Sequence, residues 1–315
     1  MIDRQVLADG LCNRKMNKHE EITTMNIEAK VATPGIYDLT DSVYHGDSYP
    51  KPCLSTGVIK DLLMKSPIHA KLNHPALNPD YCAEEAKRFD IGTAAHSILL
   101  QGVDNVCIIE APDYRKSDAQ VARDMARSNG KIPLLAKEYK RVRAMVDAAH
   151  RQLRDCELDV DLKFDGTAEQ SFVWTEDDTW LKVKPDWIRH DNLLILDYKT
   201  TSLSANPSGI ARIINTMGYD IQESLYKRGV YQLTGQAADF VFIFQEAIEP
   251  YLCSFIALSS QFTEMGNGKV DRGISLWRTC LESGEWPGYP TNVCLIDPPA
   301  WALTEWEMRE LTEVA

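Results

Sequence analysis

The chain has 315 residues, 44% of them hydrophobic, and a net charge of −12. That length and apolar fraction support one large domain or two small ones with a sizeable core. The acidic balance argues against a generic DNA-coating protein, which would be basic, but leaves room for an enzyme with a local basic channel.

No apolar run approaches the roughly 18 residues of a membrane span. The opening MIDRQVLADG lacks the apolar segment of a signal peptide, so the expected location is cytoplasmic. Cysteines stand at 12, 53, 82, 107, 156, 253, 280 and 294, with no C-x-x-C pair and no histidine pair at zinc spacing. Scattered cysteines of this kind are usually reduced core residues, and neither a zinc site nor an iron–sulfur cluster is expected.

Residues 1–33 mix charged and polar types with little periodicity and read as a weakly ordered extension. The stretch 34–58 is rich in Pro, Gly and Ser and reads mostly as loop. Ser55 and Thr56 can cap a helix over 56–64, with Val58, Ile59, Leu62 and Leu63 inward, and Pro67 interrupts it before a short second helix to Leu72. Residues 74–90 read as a loop running into a charged helix start. Residues 92–100 (GTAAHSILL) read as a buried helix, and 117–128 as a charged one. Pro133 fits the first turn of a long helix to about Arg154. A three-strand meander is expected over 168–199, helices over 207–216 and 219–233, strands over 240–245 and 251–258, and a helix over 260–283. The tail WPGYPTNVCLIDPP reads as extended. Helices, then a meander, then helices and two strands point to an α/β fold with a central mixed sheet flanked by helices, in a single domain over 34–315.

Within the meander, 183–188 and 193–199 are two runs rich in Val, Ile, Leu, Trp and Tyr, separated by His190-Asp191-Asn192, a turn signal. With Asp191 and Asn192 at the centre of that turn, Asp186 falls opposite Asp197. Directly opposed residues of an antiparallel pair lie about 4.5–5.5 Å apart at Cα, and two carboxylates so placed repel unless a cation lies between them. Asp197 and Lys199 share one face of their strand, and Leu194, Leu196 and Tyr198 take the other. Such a charged cluster among apolar neighbours is costly as structure alone. It suits a site for Mg²⁺, or Mn²⁺, whose bound ion polarises a phosphate oxygen and acidifies a bound water. Lys199 is expected to orient that water or to offset phosphoryl charge. Glu169, placed at the start of the preceding strand, offers a third carboxylate.

The spacing Glu-x16-Asp-x10-Asp-x-Lys, with Pro185-Asp186 as "PD" and Asp197-Tyr198-Lys199 as "DxK", resembles the PD-(D/E)xK nuclease superfamily, and the ending Lys199-Thr200-Thr201 resembles its RecB-like branch. In isolation His96 reads as a buried, hydrogen-bonded histidine. The resemblance of Gly92-Thr93-Ala94-Ala95-His96 to the G-T-x-x-H helix of that branch implies that His96 is a metal ligand together with Asp186 and Asp197. Gln222 and Tyr226 lie on one helix face. By resemblance to a Q-x-x-x-Y motif they are implied substrate-binding residues. The order of Tyr44-His45, Ser55–Lys60, GTAAH, LDYKTT, Tyr219-x-x-Gln222-x-x-x-Tyr226 and Glu285-Trp286-Pro287 is similar to RecE-type exonuclease over roughly 34–303. Gln101 departs from it, standing where an acidic residue often follows the GTxxH helix.

The resemblance implies Mg²⁺-dependent 5′-to-3′ resection of double-stranded DNA ends, leaving 3′ single strands for recombination by annealing. It further implies a single-strand annealing partner of the RecT type, a toroidal homo-oligomer, and a bacterial or phage-infected cell as the setting. Two other readings are a RecB-like structure-specific endonuclease and a non-catalytic DNA-binding protein on the same fold. The intact set Glu169, Asp186, Asp197 and Lys199 argues against the last.

Overall fold

The structure is a computed structural model and describes residues 31–46, 48–82 and 90–313. Most of the expected N-terminal extension, and residues 83–89 of the expected 74–90 loop, lie outside the described residues. The first part of the chain carries β1 (Gly35–Tyr37), α1 (Asp41–His45), β2 (Cys53–Leu54), α2 (Thr56–Lys60) with a π-helical turn over Asp61–Lys65, and α3 (Pro67–Leu72). Next come α4 (Asp90–His96), prolonged by a π-helical turn over Ser97–Gln101, then β3 (Val106–Ile109), α5 (Ser117–Ser128), β4 (Ile132–Leu135) and α6 (Ala136–Asp155). Five strands follow: β5 (Gly166–Ala168), β6 (Ser171–Glu176), β7 (Thr179–Val183), β8 (Trp187–Arg189) and β9 (Leu194–Thr201). The last part holds α7 (Pro207–Met217), α8 (Tyr219–Thr234), β10 (Asp239–Glu246), β11 (Cys253–Ile256), α9 (Ser260–Ser283) and α10 (Ala300–Glu313).

The strands form two mixed sheets, ordered β1-β6-β7-β2 and β11-β10-β9-β8-β5, and a two-stranded pair, β3-β4. The α/β class with mixed sheets and flanking helices is therefore as expected, although one central sheet is replaced by two. The expected meander is also divided. β6 and β7 pair antiparallel in the four-stranded sheet, while β8 and β9 pair in the five-stranded one. The run expected as one strand over 183–188 breaks at Lys184-Pro185-Asp186, because Pro185 has no N–H for a ladder and ends the pairing there. That break carries the chain from one sheet to the other.

Strands β9 and β10 pair in parallel, joined by a crossover through α7 and α8. Asn206 caps α7 by accepting from Ser208 N, Pro207 takes its first turn, and Gly218 ends it at φ 61°. The side chains of β9 and β10 alternate between two cores. Ile195, Phe240, Phe242 and Phe244 join a cluster with Trp174, Leu181, Leu225 and Trp277, and Leu194, Leu196, Tyr198, Val241 and Ile243 join one with Ala95, Leu99, Val142 and Met145. Both strands are thus buried on both faces, as central strands under helices must be.

Two local expectations are corrected and one helix is added. Pro133 lies in β4, which pairs parallel to β3, and α6 begins only at Ala136, where the Glu138 carboxylate accepts from Leu135 N. The short apolar run Ile132–Leu135 thus forms a strand before the helix. The stretch 34–58 contains β1, α1 and β2 rather than loop alone, and Ala300–Glu313 forms a helix after the extended tail.

Candidate active site

The β8–β9 register, Trp187 with Leu196 and Ile188 with Ile195, continues to place Asp186 beside Asp197. Asp186 lies just before β8, and its Oδ2 accepts from Tyr198 N at 2.8 Å. Glu169 does not begin a strand. It occupies the bend between β5 and β6 in left-handed backbone, φ 57°, and its N–H donates to Asp186 O at 3.2 Å. That bend turns its side chain to the same place as Asp186. His96 ends the helical part of α4, which closes against β9 through Gly92: a Cβ there would lie 2.8 Å from Thr200 Oγ1. The histidine Nε2 stands 3.3 Å from Asp186 Oδ2 and 3.5 Å from Glu169 Oε1.

His96, Glu169 and Asp186 each offer a ligand atom, and these atoms lie within 4.8 Å of one another. Asp197 is outside that donor set. Its Oδ2 accepts from Gln222 Nε2 at 2.5 Å, and its Oδ1 faces Lys199 Nζ at 2.5 Å. Asp197 is fully buried, yet no aligned hydrogen bond reaches Oδ1. An imidazole nitrogen and two converging carboxylates fit a small divalent cation of Mg²⁺ or Mn²⁺ type. Bound there, such an ion would acidify a water and polarise a phosphoryl oxygen.

The charges are strongly interdependent. Burial draws the His96 pKa down, but its hydrogen bond to Asp186 and the carboxylates around it outweigh burial and raise it. Burial raises Glu169, with His96 and Lys184 partly opposing. Asp186 is held low against burial by Lys199, His96 and the Tyr198 N–H, whereas burial and then Asp186 push Asp197 up to about 6. The asymmetry follows from their partners, since only Asp186 receives both an imidazole and a backbone N–H. Burial disfavours the Lys199 ammonium, but Asp197 and Asp186 more than restore it, so it stays charged.

Gln222, for which the motif resemblance implies substrate binding, donates an amide N–H to Asp197. Tyr226 packs by its ring against Phe240, with centroids 6.1 Å apart. Lys184 was missed. Its nearly buried ammonium lies 3.1 Å from Glu169 Oε2 and 2.6 Å from Asp41 Oδ1, leaving Glu169 Oε1 turned to His96. Its place immediately before Pro185-Asp186 was the available signal. A cavity of about 1160 Å³ opens beside the cluster, lined in part by Thr93, His96, Glu169 and Lys184.

Among solved structures, the chain is similar to one from Eubacterium rectale described as a "putative exonuclease", with a TM-score of 0.55 and 15% identity over 84% of this chain and 97% of that one. At that identity the likeness speaks for the fold alone. A search among curated proteins gave no match. Residues 55–297 match the family described as a PDDEXK-like domain of unknown function (DUF3799), and the matched span holds all seven residues discussed above as site candidates, from His96 to Tyr226. The chain belongs to this PDDEXK-like family.

Proposed function

We propose that the chain is a divalent-metal-dependent exodeoxyribonuclease that hydrolyses phosphodiester bonds of double-stranded DNA from its ends. The observation that carries this reading is the convergence of His96, Glu169 and Asp186 beside the buried Asp197–Lys199 pair. The carboxylates and imidazole would hold the ion. The Lys199 ammonium, anchored on Asp197, orients the attacking water and offsets charge growing on the phosphate. Gln222 keeps the Asp197 carboxylate in place. Lys184 does the same for Glu169.

The preference for ends, the 5′-to-3′ direction and the product, a 3′ single strand for annealing, rest on the motif order shared with RecE-type enzymes. An annealing partner and a ring-shaped homo-oligomer belong to the same reading. Duplexes labelled at either the 5′ or the 3′ terminus, beside closed circular DNA, test it. Early release of 5′ label only, with circles left intact, is expected. Nicking of closed circles would favour an endonuclease, and early release of 3′ label would reverse the direction.

A further inference from the structure

Close to Lys199, at the same aromatic ring, stands a second lysine. Lys60 ends α2, where the helix gives way to the π-helical turn, and its Nζ lies 5.0 Å from the centroid of the Tyr219 ring. Lys199 Nζ lies 5.3 Å from the same ring. Two ammonium groups therefore share one aromatic ring. Their stations differ in what neutralises them. Lys199 is paired with Asp197 at 2.5 Å, whereas Lys60 has no ion pair or hydrogen bond among the described residues. The acids that attract it from further off are already engaged, Asp197 by Lys199 and Gln222, and Asp220 by Lys269 at 2.6 Å.

Lys60 is also held in place. The neighbouring Ile59 is fully buried against α9, where a Cβ on Gly273 would come within 2.7 Å of its Cγ2. The lysine stem passes Gly218, whose absent Cβ would lie 3.2 Å from Lys60 Cε. The Tyr219 ring beneath it is packed on Phe242 and Phe244, with centroids 5.6 and 5.9 Å away. A half-buried ammonium beside a second one, with no counter-charge in contact, is unfavourable until an anion arrives. Burial and then Lys199 accordingly pull the Lys60 pKa down to about 8.

We infer that Lys60 and Tyr219 form a second phosphate subsite, which binds the nucleic-acid backbone phosphate next to the one that Lys199 faces. This rests on the nuclease reading. Lys60 contributes to substrate binding, and its ammonium does not touch the reacting atoms. An anion there draws both lysines together electrostatically and fixes how the strand crosses the metal site.

The test uses the full chain and a short fluorescent duplex. Binding is read by anisotropy in Ca²⁺ over a range of salt, and cleavage is read separately in Mg²⁺. Lys60→Gln is expected to weaken binding roughly tenfold at low salt and to lower the salt-dependence slope by about one, as loss of a single phosphate contact does. Lys60→Arg, which keeps the charge, is expected to retain most of the binding and the slope. In Lys60→Gln the rise in KM should exceed any fall in kcat, and Lys60→Arg should stay closer to wild type in both. Melting temperatures within a degree or two of wild type would show that both variants fold. Unchanged affinity and salt slope in Lys60→Gln, with the wild type binding DNA, would overturn the subsite alone. Equal weakening in Lys60→Arg and Lys60→Gln would overturn it too, by showing that the charge is not what binds. A wild-type chain that binds no duplex under these conditions would overturn both the subsite and the nuclease reading.

Discussion

Lys199 and Asp197 are two residues apart on one strand, yet the proposed function gives them separate roles. A protonated amine has no lone pair for a metal, so Lys199→Ala should leave metal occupancy intact and reduce DNA affinity only slightly. Cleavage should fall by ~10²–10³, the scale of losing one preorganised donor. Lys199→Arg should rescue poorly, since the planar guanidinium cannot stand where the ammonium does. Equal loss of binding and cleavage in Lys199→Ala would make it a phosphate anchor instead. Asp197 supplies a pH signature. Its folded pKa, about 6, lies above the ordinary carboxylate value. The folded state therefore binds more protons than the unfolded one between about pH 4 and 6. In the presence of a chelator, the stability from this group is fully present below about pH 4 and is lost as pH rises through about 6. Melting curves in EDTA should show that decline, and Asp197→Asn should flatten it. An unchanged pH profile in Asp197→Asn would contradict the assigned environment. The opposition of Asp186 and Asp197 was legible in the sequence because the Asp191-Asn192 turn fixes the β8–β9 register. Glu169 was legible as a carboxylate but not in place, since no pattern announces a left-handed bend at that residue.

At the scale of elements, the site depends on α4 closing tightly onto β9. Gly92 permits this, and a methyl group there meets Thr200 Oγ1 at 2.8 Å. Gly92→Val should destabilise the protein by about 1–3 kcal/mol through overpacking and displace His96 from Asp186 and Glu169. Calorimetric titration with Mn²⁺ should then show weaker binding, and Thr200→Ala should recover part of it in Gly92→Val. Weakened stability with unchanged metal affinity would mean that α4 does not position His96. His96→Ala should likewise shift the metal titration to higher concentration, whereas a lower melting temperature with an unmoved titration would mark a core histidine. The longer helices up to Ser283 and the strands β9 and β10 were readable as elements because their apolar patterns are long and regular, but the pairing of β9 with β10 was not read. The break at Pro185 was readable too, but a single proline inside an apolar run was outweighed by the run. The strand Ile132–Leu135 was lost to the opposite error, a proline taken as a helix start when four apolar residues paired with β3.

For the whole molecule, the proposed function requires that a net charge of −12 be reconciled with an anionic substrate. The reconciliation is local. The acidic cluster would offer its charge to a divalent ion, and Lys199 and Lys60 both hold their ammonium groups close to the Tyr219 ring. Among the described residues, no helix is long and apolar enough to cross a membrane. The α/β class was legible from the sequence of patterns, but the division into two sheets was not. Which strands pair depends on where the chain leaves one ladder for another, and hydrophobic alternation reads the same in either sheet. The account stands on one chemical claim, that His96, Glu169 and Asp186 hold the ion through which DNA is cut. Release of acid-soluble nucleotide from linear duplex, followed as Mg²⁺ is titrated against wild type and Asp186→Asn, tests that claim directly. Saturable Mg²⁺-dependent release by wild type, and its loss by at least about a hundredfold in a folded Asp186→Asn, is the expected result. Release that persists in EDTA, or that Asp186→Asn leaves at the wild-type level, would contradict it.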